Sequence, residues 1–465
     1  MTATSGLMRA TGPSGTGRLP AAGGPPVAVI GAGPVGLAAA AHLAERGIPF
    51  TVFEAGEHVG SSIAEWGQVR LFSPWEFVTD AAATRLLARA GWRAPSDSAL
   101  PTGRELIDDY LSPLAATPEL APQLSFGVEV VAVSRTEASR TTSLGRAQQP
   151  FLLRLRDRSG AVTEVRASAV IDASGIWRTP NPLGANGLDP LGADTVSGHI
   201  TSALPDVLGR DRARFAGCHT VVVGSGHSAA NTLLALAALA EEEAGTTVTW
   251  LLRRALSPRV FGSDADELAA RASLGAALRG LVDSGRVTVV DRFRLSRLEQ
   301  ADGRVRLHGT RRGEPASLDA DLIVNSTGFR PDLAPLREIR LELDEIMEAP
   351  RRLAPLIDPN LHSCGTVPPH GEAELAHPEK DFYLVGMKSY GRAPTFLLAT
   401  GYEQVRSVVA ELAGDHAAAR EVRLVLPETG VCGADAEADD LGGACCSAPQ
   451  PARVVELTLG GRPLG

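Results

Sequence analysis

Two glycine-rich turns, Gly31-Ala32-Gly33-Pro34-Val35-Gly36 and Gly224-Ser225-Gly226-His227-Ser228-Ala229, stand 193 residues apart in this chain. Each follows a short apolar run and precedes a stretch rich in alanine and leucine. With 49 glycines in 465 residues, three at fixed offsets arise by chance roughly 0.5 times per chain, so the context must carry the weight. Pro26-Val27-Ala28-Val29-Ile30 reads as a buried parallel strand, and Val35 to Ala44 as a helix of small and apolar residues. In such a strand–turn–helix unit Gly31 permits the tight turn, Gly33 lets backbone approach a pyrophosphate, and Gly36 allows close helix packing. Gly224 and Gly226 take the first two roles in the second copy, Ala229 substitutes in the third, and Ser228 joins the phosphate-facing set. The helix N-terminus adds unpaired N–H groups and a positive dipole end.

The strand-end residues separate the two units. Pro49 to Phe53 reads as a second strand ending in Glu54, 23 residues after Gly31, where a carboxylate accepts hydrogen bonds from a ribose diol. The corresponding strand of the second unit, Val248-Thr249-Trp250-Leu251-Leu252, is followed by Arg253 and Arg254. An acid there would repel a ribose 2′-phosphate, whereas guanidinium forks hold it. At roughly 1.5–3 kcal/mol per hydrogen bond to a charged group, one such contact favours NADPH over NADH about tenfold or more. We therefore expect FAD at the first turn and NADPH at the second. Plain surface arginine is the competing reading, because only Lys380 and Lys388 among 45 basic residues are lysine.

The length suits two or three domains, and 44% hydrophobic with 21% charged residues is the balance of a soluble globular protein. A net charge of −9 with no basic cluster argues against nucleic acid as a main partner. Residues 1–25 carry only Arg9 and Arg18 as charges and read as a disordered extension. No run of about 18 apolar residues offers a membrane span. A cytoplasmic location is expected, and a homodimer is left open. Five cysteines, Cys218, Cys364, Cys432, Cys445 and Cys446, are too few and too unevenly placed for a secreted disulfide framework.

Strand-like runs at Phe126 to Val133, Phe151 to Leu155 and Ala169 to Asp172 complete a first domain part, 26–177. The last ends in Asp172-Ala173-Ser174-Gly175, followed by Trp177 and two prolines, a natural crossover. A second domain, 178–329, runs from the strand His219 to Val223 through Val287 to Val290 and Val305 to His308 to Asn325-Ser326-Thr327-Gly328. The chain returns to the first domain over 330–427 through Asp381 to Gly386 and a long apolar helix from about Pro394 to Leu412, leaving a tail, 428–465. The expected fold is α/β, with two Rossmann-like dinucleotide-binding domains and the NADPH domain inserted in the FAD domain.

On these paired turns, the strand-end elements Asp172 to Gly175 and Asn325 to Gly328, and the Arg253/Arg254 pair, residues 26 to 412 resemble the two-dinucleotide-binding flavoproteins, nearest the flavin-containing monooxygenase and thioredoxin-reductase-like group. Ser326-Thr327-Gly328 is similar to that group's Ala-Thr-Gly linker, which assigns Thr327 and Gly328 to the cofactor-binding set. Gly386 to Thr395, with the cysteine-rich tail, also resembles flavin-binding monooxygenases of actinobacterial arsenic-resistance clusters. Two departures stand out. Thr195 occupies the place of the monooxygenase linker glycine four residues before His199, and no Cys-x-x-Cys exists anywhere in the chain. A literal Leu398-Ala399-Thr400-Gly401-Tyr402 falls inside the expected C-terminal helix and is read as incidental.

The resemblance implies hydride delivery from NADPH to a flavin at the domain junction, with Gly386 and a helix N-terminus near Thr395 facing the ring. Lys388 is a candidate helper, against the alternative of a solvated lysine. Glu65 to Phe77 holds four of the chain's 21 aromatic residues, Trp66, Phe72, Trp75 and Phe77. They serve either a substrate pocket or ordinary core packing. His362, Cys364, His370 and His377 have spacings that fit no helical face, so no metal site is assigned. Cys364 is kept as a candidate reactive thiol beside the reading of a packed core thiol. Cys432, Cys445 and Cys446 could close around a trivalent arsenical, and the adjacent pair resembles the terminal cysteines of mercuric reductases; incidental thiols on a mobile tail explain them equally.

Three functions follow. The first is an FAD- and NADPH-dependent monooxygenase that uses dioxygen on a soft nitrogen, sulfur or arsenic centre of a small molecule. The second is an NADPH-dependent reductase passing electrons through Cys445 and Cys446 to a metalloid or disulfide. The third is a non-catalytic metalloid-binding flavoprotein.

Overall fold

The computed structural model describes residues 24–261, 269–358, 367–394 and 396–424. Val27–Ile30 is buried along its whole length, as expected of an apolar strand covered on both faces. It is the centre of a five-stranded parallel sheet in the order Phe382–Leu384, Val170–Asp172, Val27–Ile30, Phe50–Glu54, Leu124–Phe126. A second parallel sheet has the order Thr288–Val290, Thr247–Leu251, His219–Val223, Leu322–Asn325, Ile200–Thr201. In each sheet the strand before the glycine turn is central, and the returning C-terminal strand of the first sheet comes from beyond the second. The expected α/β architecture, one Rossmann-like unit inserted in another, is the architecture observed.

Each unit carries a three-stranded antiparallel sheet. These are Val128–Arg135, Phe151–Asp157 and Val162–Ala167 in the first, and Phe293–Ala301, Arg304–Arg311 and Glu314–Ala320 in the second. The expected single strand Phe126 to Val133 is two, Leu124–Phe126 and Val128–Arg135, divided at Gly127 with φ +67°; Ile200–Thr201 was not anticipated, and the sequence reading also missed Val162–Ala167, Phe293–Ala301 and Glu314–Ala320. These strands are largely exposed and interrupted by charge, so the apolar run that marks a buried strand is absent.

The C-terminal helix spans Leu398–Leu412, not Pro394 to Leu412. A 3₁₀ turn at Gly386–Tyr390 ends at Gly391, whose φ of +57° reverses the chain, and Pro394 lies in the bend that follows. Helical bonding begins only where Leu397 O accepts from Thr400 N. The helix packs on Pro34–Glu45, and a Cβ at Gly401 would lie 2.6 Å from Val35 Cγ2. The Leu398 to Tyr402 match is thus part of a packed helix.

The chain crosses between units twice, and the crossings lie side by side. Pro180 faces Phe329 in an antiparallel bridge, Asn181 N donates to Gly328 O, and Arg330 N donates to Thr179 O. Among the described residues no helix is long and apolar enough to cross a membrane.

Candidate functional site

At the first turn, Gly31 has φ +98°, and a Cβ there would stand 2.8 Å from Ala173 O. A Cβ at Gly36 would stand 1.9 Å from Gly31 O, whereas one at Gly33 would meet nothing within 4 Å. The outer glycines are forced by the protein itself. The middle one, which caps the helix Pro34–Glu45, faces open space where a pyrophosphate can sit on the helix N-terminus. Glu54 is held at the rim, Oε2 accepting from Ala32 N at 2.8 Å and Oε1 from Gly56 N at 2.7 Å. A carboxylate has about four acceptor sites, so two remain for a ribose diol. This donor set and cradle fit FAD.

The second turn repeats the geometry. Gly224 has φ +132°, a Cβ there would stand 2.0 Å from Ser326 O, and Gly226 faces open space. Ala229 is fully buried in the third place, and Ser228 lies in the first turn of the helix His227–Glu242. Trp250 Nε1 donates to Gly224 O at 2.6 Å and fixes the turn to the neighbouring strand. Arg253 and Arg254 are exposed at that strand's end, where both line a cavity of about 510 Å³. Thr327 Oγ1 lies 2.9 Å from Asn181 O and 2.7 Å from Asn325 Oδ1, and Gly328 has φ +92°. Both residues shape the crossover pair.

The C-terminal segment carries a buried polar network. Gly386, with φ +66°, donates its N–H to Gln404 Oε1 at 2.7 Å, and Gln404 Nε2 reaches Ser389 Oγ and His370 Nε2, each at 2.9 Å. Lys388 is 3% exposed. Its Nζ lies 2.7 Å from Asp172 Oδ2 and donates to Ser174 Oγ at 3.0 Å, while Ser174 donates to Asp172 Oδ1 at 2.7 Å. The solvated-lysine alternative is therefore excluded. The pair ties the end of the strand Val170–Asp172 to the C-terminal segment and lies behind Ala173, the residue that forces Gly31. Because Asp172 balances the ammonium, Lys388 acts here as a fixed cross-link more than as a free positive charge.

Aromatic residues wall the junction of the units. Trp177, from the first crossing, lies 4.8 Å from Phe329 of the second and 6.3 Å from Trp66, and its Nε1 donates to Glu65 Oε2 at 2.7 Å. Phe72 meets His227, at the N-terminus of the second helix, edge-on at 5.0 Å. Trp75 is only 5% exposed and belongs to the core. Of the aromatic segment, Trp75 packs in the core and Trp66 against it, while Phe72 reaches across to the second unit.

A family model described as pyridine nucleotide-disulphide oxidoreductase matches residues 25–365. The chain belongs to this family. It is accordingly an oxidoreductase whose two dinucleotides are FAD and a nicotinamide nucleotide. A search of curated proteins by sequence finds no match. Among solved structures, the bacillithiol disulfide reductase of Bacillus cereus is 18% identical with a TM-score of 0.62, covering 84% of this chain and 99% of its own. The cadaverine monooxygenase of Erwinia amylovora, bound to FAD, is 14% identical with a TM-score of 0.57 over 88% and 99% of the two chains. A flavin monooxygenase of Stenotrophomonas maltophilia is 21% identical with a TM-score of 0.52 over 84% and 98%. These likenesses are of fold.

Several expected residues of this family member, Cys364, Thr395, Cys432, Cys445 and Cys446, together with His362, lie outside the described residues. Cys218, the described cysteine, sits at the N-terminal end of the strand His219–Val223, opposite its glycine turn. Burial pushes its thiol pKa up, away from reactivity. His370 and His377 serve packing: burial lowers both pKa values, that of His377 to about 4. Sequence reasoning gave no role to Trp177, Gln404 or Phe329, and placed Asp172 only within a motif. An acid closing an apolar strand, in a chain with two lysines, was the available signal for the Asp172–Lys388 pair.

Proposed function

We propose that this oxidoreductase is an NADPH-dependent flavin monooxygenase that oxygenates a soft nitrogen, sulfur or arsenic centre in a small molecule. The observation that carries this reading is the junction wall. Trp66, Trp177 and Phe329 supply an apolar face where the two crossings meet, and the described thiol lies at the far end of its strand. Aromatic walls with few polar groups suit small apolar-bodied ligands.

Bound FAD supplies hydride acceptance and reaction of its reduced form with dioxygen. The chain's residues bind and orient. Gly33 and Gly226 open the two helix N-termini to pyrophosphates, Glu54 holds a ribose diol, and Arg253 with Arg254 holds a ribose 2′-phosphate. Lys388, locked by Asp172, keeps the C-terminal segment in register with the first turn. The overall reaction balances as NADPH, a proton, dioxygen and substrate giving NADP⁺, water and oxygenated substrate.

NADPH oxidation in air and under argon, with thioethers, amines, arsenite, methylated arsenicals and disulfides as candidates, tests the proposal. Substrate-stimulated NADPH loss in air, matched by equal dioxygen uptake and absent under argon, is expected. The likeness to a bacillithiol disulfide reductase favours a second reading, electron transfer to a disulfide or metalloid through the C-terminal cysteines. Substrate-driven turnover under argon would establish that reading and overturn the first.

A further inference from the structure

The first sheet sets out its cofactor site strand by strand. Gly33 opens the helix N-terminus that follows the central strand Val27–Ile30, and Glu54 closes the neighbouring strand. Glu54 is paired in register with Phe126, the last residue of the next strand, Leu124–Phe126. Neighbouring strands lie about 4.8 Å apart. A dinucleotide with its pyrophosphate over Gly33 and its ribose on Glu54 therefore carries its adenine outward to the strand end at Phe126. Gly56 marks the path: its N–H donates to Glu54 Oε1 at 2.7 Å, and its carbonyl accepts from Gly127 N at 2.8 Å.

A surface cavity of about 560 Å³ lies at that strand end, lined by Glu57, Phe126, Gly127, Val128 and the turn Asp157-Arg158-Ser159. Phe126 is 39% exposed and supplies an aromatic ring. The turn facing it is held firmly. Val128 is paired with Asp157, and Asp157 Oδ1 accepts from Ser159 N at 2.8 Å, Ser159 Oγ at 2.6 Å and Ala161 N at 3.0 Å. The backbone of Arg158 is thereby fixed, while its side chain is exposed. That side chain passes over Gly127, where a Cβ would stand 2.9 Å from Arg158 Nε, and forms an ion pair with Glu57. Glu57 follows the residue that links Glu54 to Gly127, so the pair joins the ribose end of the site to the antiparallel sheet. An exposed ion pair contributes little by itself and opens readily. A guanidinium plane closed on a purine face gains stacking and cation–π attraction that water does not replace.

We propose that Arg158 is a latch over the adenine of FAD, drawn shut by Glu57, and that it sets how fast the cofactor leaves. This rests on the reading of the first turn as the FAD site and extends that site to the turn of the antiparallel sheet. Retention is then divided between a cradle that cannot move, at Gly33 and Glu54, and one side chain that can.

Release of FAD from the loaded full chain after dilution, read as the return of flavin fluorescence, tests this without turnover. Arg158→Ala should speed release about tenfold, and Glu57→Gln about threefold. Both should leave the melting temperature of the FAD-free chain unchanged, because both side chains are exposed. Arg158→Lys should recover only part of the loss, since an ammonium has no plane to stack; full recovery would show that charge alone is felt and would overturn the latch. If Arg158→Ala releases FAD at the wild-type rate while Gly33→Ala holds none, the latch fails and the first turn keeps its cofactor. If Gly33→Ala also retains FAD as wild type does, the assignment of the first turn fails and takes the latch with it.

Discussion

The two glycine turns share a backbone and differ in everything around it. Behind the first lie a buried ion pair, Lys388–Asp172, and a buried Gln404–His370–Ser389 network; beyond the second lie exposed arginines and an open cavity. Glu54 has both oxygens engaged by backbone N–H groups, whereas Arg253 is held by one long bond. The same strand–turn–helix is thus set once into a rigid, cross-linked surround and once into a charged, solvent-facing one. That contrast suits a retained cofactor at the first site and an exchanging one at the second.

The comparison breaks most sharply at the glycines. Gly36→Ala and Gly224→Ala each drive a Cβ to within 2.0 Å of a carbonyl oxygen, so each should cost about 3–5 kcal/mol or prevent folding, read by urea unfolding. Gly33→Ala and Gly226→Ala meet no protein atom within 4 Å. They should keep stability within about 1 kcal/mol while losing FAD absorbance and NADPH affinity respectively. Wild-type flavin content in Gly33→Ala would remove the assignment of the first turn.

Next comes the buried pair. Lys388→Met leaves Asp172 buried and uncompensated and should destabilise the protein by about 3–5 kcal/mol, with most of the loss recovered in Lys388→Met/Asp172→Asn. An unchanged urea midpoint in the single variant would mean that the first site is not cross-linked through this pair. Acid should also weaken the first unit. The pKa of His377 in the fold lies at about 4, below its ordinary value of 6.5, because burial disfavours the cation. The native state therefore binds fewer protons than the unfolded chain between those values. Stability rises with pH across that window, by on the order of 3 kcal/mol in all, and is flat above it. Denaturant midpoints at pH 7 and pH 5 should converge in His377→Gln.

The smallest effect belongs to the second site. Arg253→Ala should weaken NADPH about tenfold and leave NADH affinity, FAD content and stability unchanged. Equal losses for the two nucleotides would place Arg253 away from the 2′-phosphate.

What the sequence revealed follows the same division. The central strands of both parallel sheets, their insertion order and both turns were legible because buried strands must be apolar and the turn glycines are sterically compelled, whereas the edge strands Leu124–Phe126 and Ile200–Thr201, only partly buried, were not. Lys388 stood out by rarity, but its partner lies 216 residues away, and no local pattern connects them. Trp177 and Phe329 meet only because the crossings pair. The helix start was misplaced by four residues because Gly391, with its positive φ, reverses the chain where apolar content alone continues. Exposed antiparallel strands were missed for want of an apolar run.

The paired crossings have a topological consequence. Since Pro180 faces Phe329, the intervening segment leaves and re-enters its host through neighbouring residues, so its insertion opens no gap in the first sheet. Closing so short a span across the host costs little chain entropy, whatever the length of what is inserted. A direct splice across this point, removing the second unit, should leave a shorter chain whose first sheet still has its five strands in register.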